Sequence, residues 1–156
     1  MDDAFFLQQA CELALESIRG NKGGPFGALV VRSGEVIATG KNCVTSLNDP
    51  TAHAEINAIR AACAALQNFR LDRAILYSSC EPCPMCLAAI YWSRIEKVVF
   101  ANTRVDAAEA GFDDAWIYRE LQAEAPARAL PLVQLSLPGR ERALLEWRDK
   151  PDKVPY

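Results

Sequence analysis

Two stretches decide how this chain folds: Asn48-Asp49-Pro50-Thr51-Ala52-His53-Ala54-Glu55 and Ser79-Cys80-Glu81-Pro82-Cys83-Pro84-Met85-Cys86. Each carries turn-forming residues into the start of an apolar run. Asn48, Asp49 and Thr51 are helix-capping types and Pro50 suits a first helical turn, so the Ala-rich run 52–66 is a predicted helix. Ala74-Ile75-Leu76-Tyr77, just before the second stretch, reads as a short buried strand, and the chain after it reads as helix from Cys83 to about residue 93. Outward from these two the same alternation holds. Phe6, Ala10, Leu13 and Ala14 fall at i, i+4, i+7 and i+8, which predicts an amphipathic helix over 3–19. Phe26-Gly27-Ala28-Leu29-Val30-Val31 and Glu35-Val36-Ile37-Ala38-Thr39 flank Ser33-Gly34 and predict a hairpin. Lys97-Val98-Val99-Phe100-Ala101 reads as a strand, 114–123 as helix, Leu132-Val133-Gln134-Leu135 as strand and 139–149 as helix, with Pro126, Pro131 and Pro138 breaking the stretch between. A hairpin followed by strands alternating with helices predicts an α/β fold, with a mixed central sheet of about five strands covered by helices on both faces.

A chain of 156 residues is one ordinary domain, and 51% hydrophobic with 24% charged residues is globular composition. Seventeen Lys and Arg against twenty Asp and Glu give a net charge of −3, which argues against a general binder of phosphate backbones. The opening Met1-Asp2-Asp3-Ala4-Phe5-Phe6-Leu7 is acidic and lacks a cationic segment before an apolar core. No run is long and apolar enough to span a bilayer, so the expectation is a cytoplasmic protein without a membrane partner. In that compartment six cysteines point to metal binding or catalysis before disulfides.

The residues that carry chemistry stand at the two predicted helix starts. Cys83 and Cys86 are three apart, one helical turn, so both sulfurs can aim at one ion. The helix N-terminus beside them favours the thiolate that a metal requires. His53, the chain's single histidine, adds an imidazole nitrogen, and one nitrogen with two sulfurs suits zinc better than magnesium or calcium. Three protein ligands leave one tetrahedral position open, as catalytic zinc sites do. Glu55 is then the expected proton carrier, because a zinc-bound water titrates near pH ~7 and a neighbouring carboxylate can take its proton. Residues two apart do not share a helix face, so His53 and Glu55 can meet in one site only by straddling the helix start. Cys80, Cys83 and Cys86 also spell part of an iron–sulfur run, but no fourth cysteine follows at the needed spacing. Cys80 reads as a buried thiol at a strand end, and Cys11, Cys43 and Cys63 as buried thiols too. A structural zinc module would need a fourth protein ligand, and it would leave Glu55 without a role.

H-x-E followed by P-C-x-x-C is the known signature of the zinc deaminases. With it, the sequence resembles the cytidine deaminase-like superfamily and, within it, the bacterial guanine deaminases. The matching stretches are Gly23-Gly24-Pro25-Phe26-Gly27-Ala28, Asn42, the two segments quoted first, Ile90-Tyr91-Trp92, Ala107-Ala108-Glu109-Ala110-Gly111-Phe112-Asp113-Asp114, and the final Tyr156. The zinc motif is common to the superfamily, whereas the Ala-Gly-Phe-Asp-Asp block and the last tyrosine point to guanine. The resemblance implies a three-layer α/β/α cytidine deaminase-like fold over 1–156, with one Zn2+ per chain carrying a water or hydroxide. It implies hydrolytic deamination in purine catabolism or salvage: guanine plus water gives xanthine plus ammonia, with attack at C2, Glu55 moving protons and Asp114 beside the amine. It also implies Asn42, Phe26, Ala54, Trp92, Asp114 and Tyr156 as substrate contacts, and a homodimer in which 139–156 closes the pocket by exchange between subunits.

The residues themselves favour a small base. Between Asp106 and Glu124 stand six acidic residues and one basic, Arg119, a lining that repels phosphate. The N1–H and 2-amino groups of guanine are donors matched by a carboxylate such as Asp114, and Asn42 can donate and accept at the O6/N7 edge. Phe26 and Trp92 either sandwich a ring or are plain core, and one of Asp113 and Asp114 either caps the following helix or meets substrate. Gly23-Gly24 through Gly27 lacks the Lys-Ser/Thr ending of a phosphate loop and reads as close backbone packing. A tRNA adenosine deaminase would carry similar motifs but needs a basic C-terminal helix. Residues 139–156 hold five Lys/Arg against four Asp/Glu, a net of +1, so nucleic acid stands second to a nucleobase. Deaminases of cytosine or small amino-triazines share the chemistry.

Overall fold

Strand β1, Gly27–Arg32, is buried along almost its whole length, because it is a central strand covered on both faces. The structure, a computed structural model, describes residues 2–156; Met1, the first residue of the acidic opening, lies outside them. The chain forms two units, one running to Arg119 and the other covering Glu120–Tyr156. In the first, helix α1 (Asp3–Arg19) is followed by β1 and β2 (Glu35–Lys41), a single turn α2 (Val44–Leu47), helix α3 (Ala54–Leu66), strand β3 (Ala74–Cys80), helix α4 (Pro84–Trp92), strand β4 (Lys97–Asn102), and helices α5 (Arg104–Glu109) and α6 (Asp114–Gln122), the last crossing into the second unit. The sheet order is β2-β1-β3-β4, with β1 antiparallel to β2 and β3, and β3 parallel to β4. The mixed sheet and its helices are as expected, but among the described residues it has four strands where the sequence predicts about five.

Alternation along β1 builds both layers. Leu29 and Val31 face α1 and pack with Phe6, Ala10 and Tyr77. Ala28 and Val30 face the other way, into Ala54, Ala58, Ile59 and Ala62 of α3 and Ile90 of α4. Helix α3 lies so close to β2 that a Cβ on Gly40 would stand 2.1 Å from the Ala54 carbonyl oxygen, so glycine is required there. That approach sets the height of the α3 start over the sheet.

The second unit holds the end of α6, a 3-10 turn at Ala125–Ala127 and helix α7 (Arg142–Asp149). Residues 132–135, expected as a strand, form none, and Leu132, Val133 and Leu135 are exposed. Their β-forming composition finds no pairing partner, and Pro131 and Pro138 cannot donate to a ladder. Cysteines 11, 43 and 63 are half-buried and not enclosed as expected, whereas Cys80 is buried at the end of β3.

Candidate active site

The two decisive stretches meet at one point. Helix α3 begins later than its capping residues suggested, at Ala54, because Asp49 accepts the Thr51 backbone N–H at 2.8 Å and its hydroxyl at 2.7 Å and so turns the chain first. His53 is therefore the cap residue, extended at φ −69° and ψ 157°, and Glu55 is the second helical residue. This resolves the facing problem: the imidazole leaves from extended backbone and the carboxylate from the first turn. Helix α4 repeats the arrangement, with Cys83 as cap at φ −66° and ψ 167°, Pro84 in the first helical position and Cys86 one turn on.

Cys83 Sγ lies 3.6 Å and Cys86 Sγ 3.5 Å from His53 Nδ1, and all three atoms fall within 4.8 Å of one another. Zn–S bonds of about 2.3 Å and Zn–N bonds of about 2.0–2.1 Å at tetrahedral angles put sulfur and nitrogen about 3.6 Å apart. The donor set therefore fits one zinc ion, and among the described residues the group holds three protein donors. Without a cation the two thiols titrate against each other. The neighbouring Cys86 pulls the Cys83 thiol down, whereas Cys86, buried beside it, is pushed up. A divalent ion supplies the positive charge that lets both become thiolates.

Glu55 is buried 5% exposed, accepting from Ser78 Oγ at 3.3 Å and Cys86 Sγ at 3.5 Å. Burial pushes its carboxyl above the usual range. A cavity of about 210 Å³ opens beside it, lined by Gly24, Phe26, Asn42, Val44, Thr45, His53, Glu55, Cys80, Glu81, Cys83, Phe112 and Asp114. Pockets for drug-sized ligands run from about 300 to 1,000 Å³, so this one is on the scale of a single small ring system. Asp114, the first residue of α6, faces it with its carboxyl also raised, first by burial and then by Cys83. Asp113 precedes it, and its carbonyl accepts from Trp116 and Ile117 at the helix start.

The other expected contacts divide. Phe26 and Asn42 line the cavity. The Asn42 Oδ1 is occupied by the N–H groups of Gly24 at 3.0 Å and Val44 at 3.2 Å, so its NH2 is the part left to meet a ligand, as donor only. Gly23 is packed against the same amide: a Cβ there would lie 2.3 Å from Asn42 Oδ1. Ala54 is fully buried at the α3 start and is not part of the lining. Trp92 ends α4, about 12 Å along the helix from its first residue, and the structure does not bring it to this cavity. Tyr156 lies in the second unit. The aromatic wall comes instead from Phe112, packed edge-on against Phe26 with ring centres 4.8 Å apart. In the sequence the signal for Phe112 is its place two residues before Asp114, and nothing local marks it as a pocket wall.

The model for the cytidine and deoxycytidylate deaminase zinc-binding region matches residues 1–102. Guanine deaminase of Bacillus subtilis is 49% identical over 156 residues, the whole of both chains. The X-ray structure of guanine deaminase from that organism superposes with a TM-score of 0.96 at 49% identity, covering 100% of this chain and 99% of the other. A tRNA-specific adenosine deaminase of Aquifex aeolicus is 44% identical over 102 residues, 65% of this chain and 66% of that one. Ligand atoms spaced for a tetrahedral zinc, at the motifs the family model covers, make this chain a member of the cytidine and deoxycytidylate deaminase family.

Proposed function

We propose that the protein is a zinc-dependent guanine deaminase, converting guanine and water into xanthine and ammonia in purine catabolism or salvage. The observation that carries the reading is a full-length relative of that activity joined to a small cavity with Glu55 beside the ligand group and Asp114 on its wall. When bound, zinc supplies a Lewis-acid corner that brings the pKa of a water to about 7. Glu55 takes a proton from the attacking water and delivers protons to the ring nitrogen and the departing amine; its raised pKa suits it to both directions. Asp114 accepts from the donors at N1 and the 2-amino group, and the Asn42 NH2 donates to the O6/N7 edge. Phe26 and Phe112 pack on the ring. A C2–O bond forms, the C2–N bond breaks, and ammonia leaves.

Residues 139–156 serve in this reading as a lid exchanged between two copies of a homodimer, which brings Tyr156 to a pocket; Ala54 and Trp92 are held as substrate contacts on the family resemblance. Leu130, Leu132, Val133, Leu135 and Leu137 of the second unit are all exposed, which supports a partner for that segment. Six free cysteines suit the reducing cytoplasm. A panel of guanine, guanosine, cytosine, adenine, an amino-triazine and a tRNA anticodon stem, with ammonia followed for each, tests the substrate. Guanine is expected to be fastest. Faster release from the tRNA stem or from cytosine would replace the reading by one of its rivals.

A further inference from the structure

Glu81 and Pro82 lead directly into Cys83, and two side chains from later in the chain hold them. The Tyr118 hydroxyl donates to the Pro82 carbonyl at 2.8 Å. Arg104 grips Glu81 three times: Nη2 and Nε donate to Oε1 at 2.6 and 3.0 Å, and the backbone N–H donates to Oε2 at 2.9 Å. The same guanidinium lies 3.9 Å over the centre of the Tyr118 ring. Glu81 reaches the cavity wall, yet both its oxygens are taken by Arg104, so it is better suited to holding than to binding substrate. Tyr118 stands four residues after Asp114 on α6, and side chains at that spacing share a helix face. Helix α6 has no fully buried residue. The tyrosine bond and the stacked guanidinium are specific attachments of α6 to the first unit, beside the packing of Phe112 on Phe26 just before it.

We propose that Tyr118 and Arg104 are positioning residues that fasten α6, and with it Asp114, to the segment feeding the ligand Cys83, so that the Asp114 carboxylate and the metal ligands share one frame. The proposal rests on the role given to Asp114 above. A separation fixed in this way matters because reacting groups displaced by even a fraction of a bond length lose rate steeply.

A double-mutant cycle on kcat/KM for guanine, run on zinc-loaded full-length protein, tests it, with zinc content and the rate of zinc release to a chromophoric chelator read alongside. Tyr118→Phe is expected to keep a full zinc equivalent and an unchanged circular dichroism spectrum, while kcat/KM falls about tenfold. In an Asp114→Ala background the same change is expected to cost less than about twofold, because no carboxylate remains to be aimed. Zinc release from Tyr118→Phe is expected to be about tenfold faster, since the Pro82 carbonyl no longer restrains Cys83. Arg104→Lys keeps the charge but neither the fork nor the flat stack, and should fall between wild type and Tyr118→Phe. Equal losses in both backgrounds, or an unchanged rate of zinc release, would overturn the proposal. A wild-type protein that releases no ammonia from guanine would instead defeat the functional reading, and the zinc-release comparison alone would then decide the clamp.

Discussion

Helix α3 starts from His53 and helix α4 from Cys83, and the two caps have nearly the same backbone conformation, φ −69° and ψ 157° against φ −66° and ψ 167°. Neither side chain makes the cap hydrogen bond that Ser, Asp or Asn would make there, worth about 1 kcal/mol. Both caps are spent on the metal group instead. The two starts differ in what holds them. The α3 start is set from below, by the contact of α3 with Gly40, and from before, by the Asp49–Thr51 turn. The α4 start is set from the side, by Tyr118 and Arg104 acting on Pro82 and Glu81. They also differ in cargo: α3 brings one ligand and the proton carrier, and α4 brings two ligands. A site divided in this way ties ligand loss at either helix to the stability of both.

Breaking the tie should have the largest effect. Cys83→Ala and His53→Ala are each expected to lose the zinc equivalent and all measurable turnover. The fall in thermal midpoint relative to wild type should disappear once both proteins are stripped with a chelator, because the metal contributes only to the loaded state. A deficit that survives the chelator would mean that the ligands stabilise their helices without zinc. Glu55→Gln comes next, separating the cargo of α3 from its ligand: kcat should fall by about 10²–10⁴ while zinc content and guanine binding persist. Wild-type turnover by that variant would remove Glu55 from the chemistry. The smallest effect belongs to the turn before α3. The hydrogen bonds from Thr51 hold the Asp49 carboxyl below its ordinary value of 3.8. A depressed carboxylate stabilises above its unfolded pKa and loses that contribution as pH falls through the folded one. The difference in thermal midpoint between chelated wild type and chelated Asp49→Ala should therefore narrow as pH falls from about 5 to about 2. A constant difference would show that this turn does not depend on the charge.

Much of the first unit was legible because its signals are local. Spacing of Phe6, Ala10, Leu13 and Ala14 set α1 to the residue, Asp3–Arg19, and the continuous apolar run of β1 marked a strand covered on both faces. His53, Glu55, Cys83 and Cys86 were readable as a group because helix starts restrict where those side chains can point. What failed lay where neighbours decide. Residues 132–135 have strand composition, but a strand exists only with a partner. Asn42 was read as donor and acceptor, and only its two backbone donors show that the acceptor is already occupied. Phe112 became a pocket wall through contact with Phe26, a residue far earlier in the chain.

The amino-acid order by itself determined most elements of the first unit and the chemistry of the site: which residues can bind zinc, which can carry a proton, and which end of each helix they occupy. It could do so because periodicity, capping and ligand type act over a few residues. Tertiary structure alone decided that one imidazole nitrogen and two sulfurs come to tetrahedral spacing, that Phe112 packs on Phe26 in the cavity wall, and that Tyr118 reaches back to Pro82. Those are distances between segments remote in sequence. They are set by how closely two helices pack against one sheet, and no local pattern encodes that.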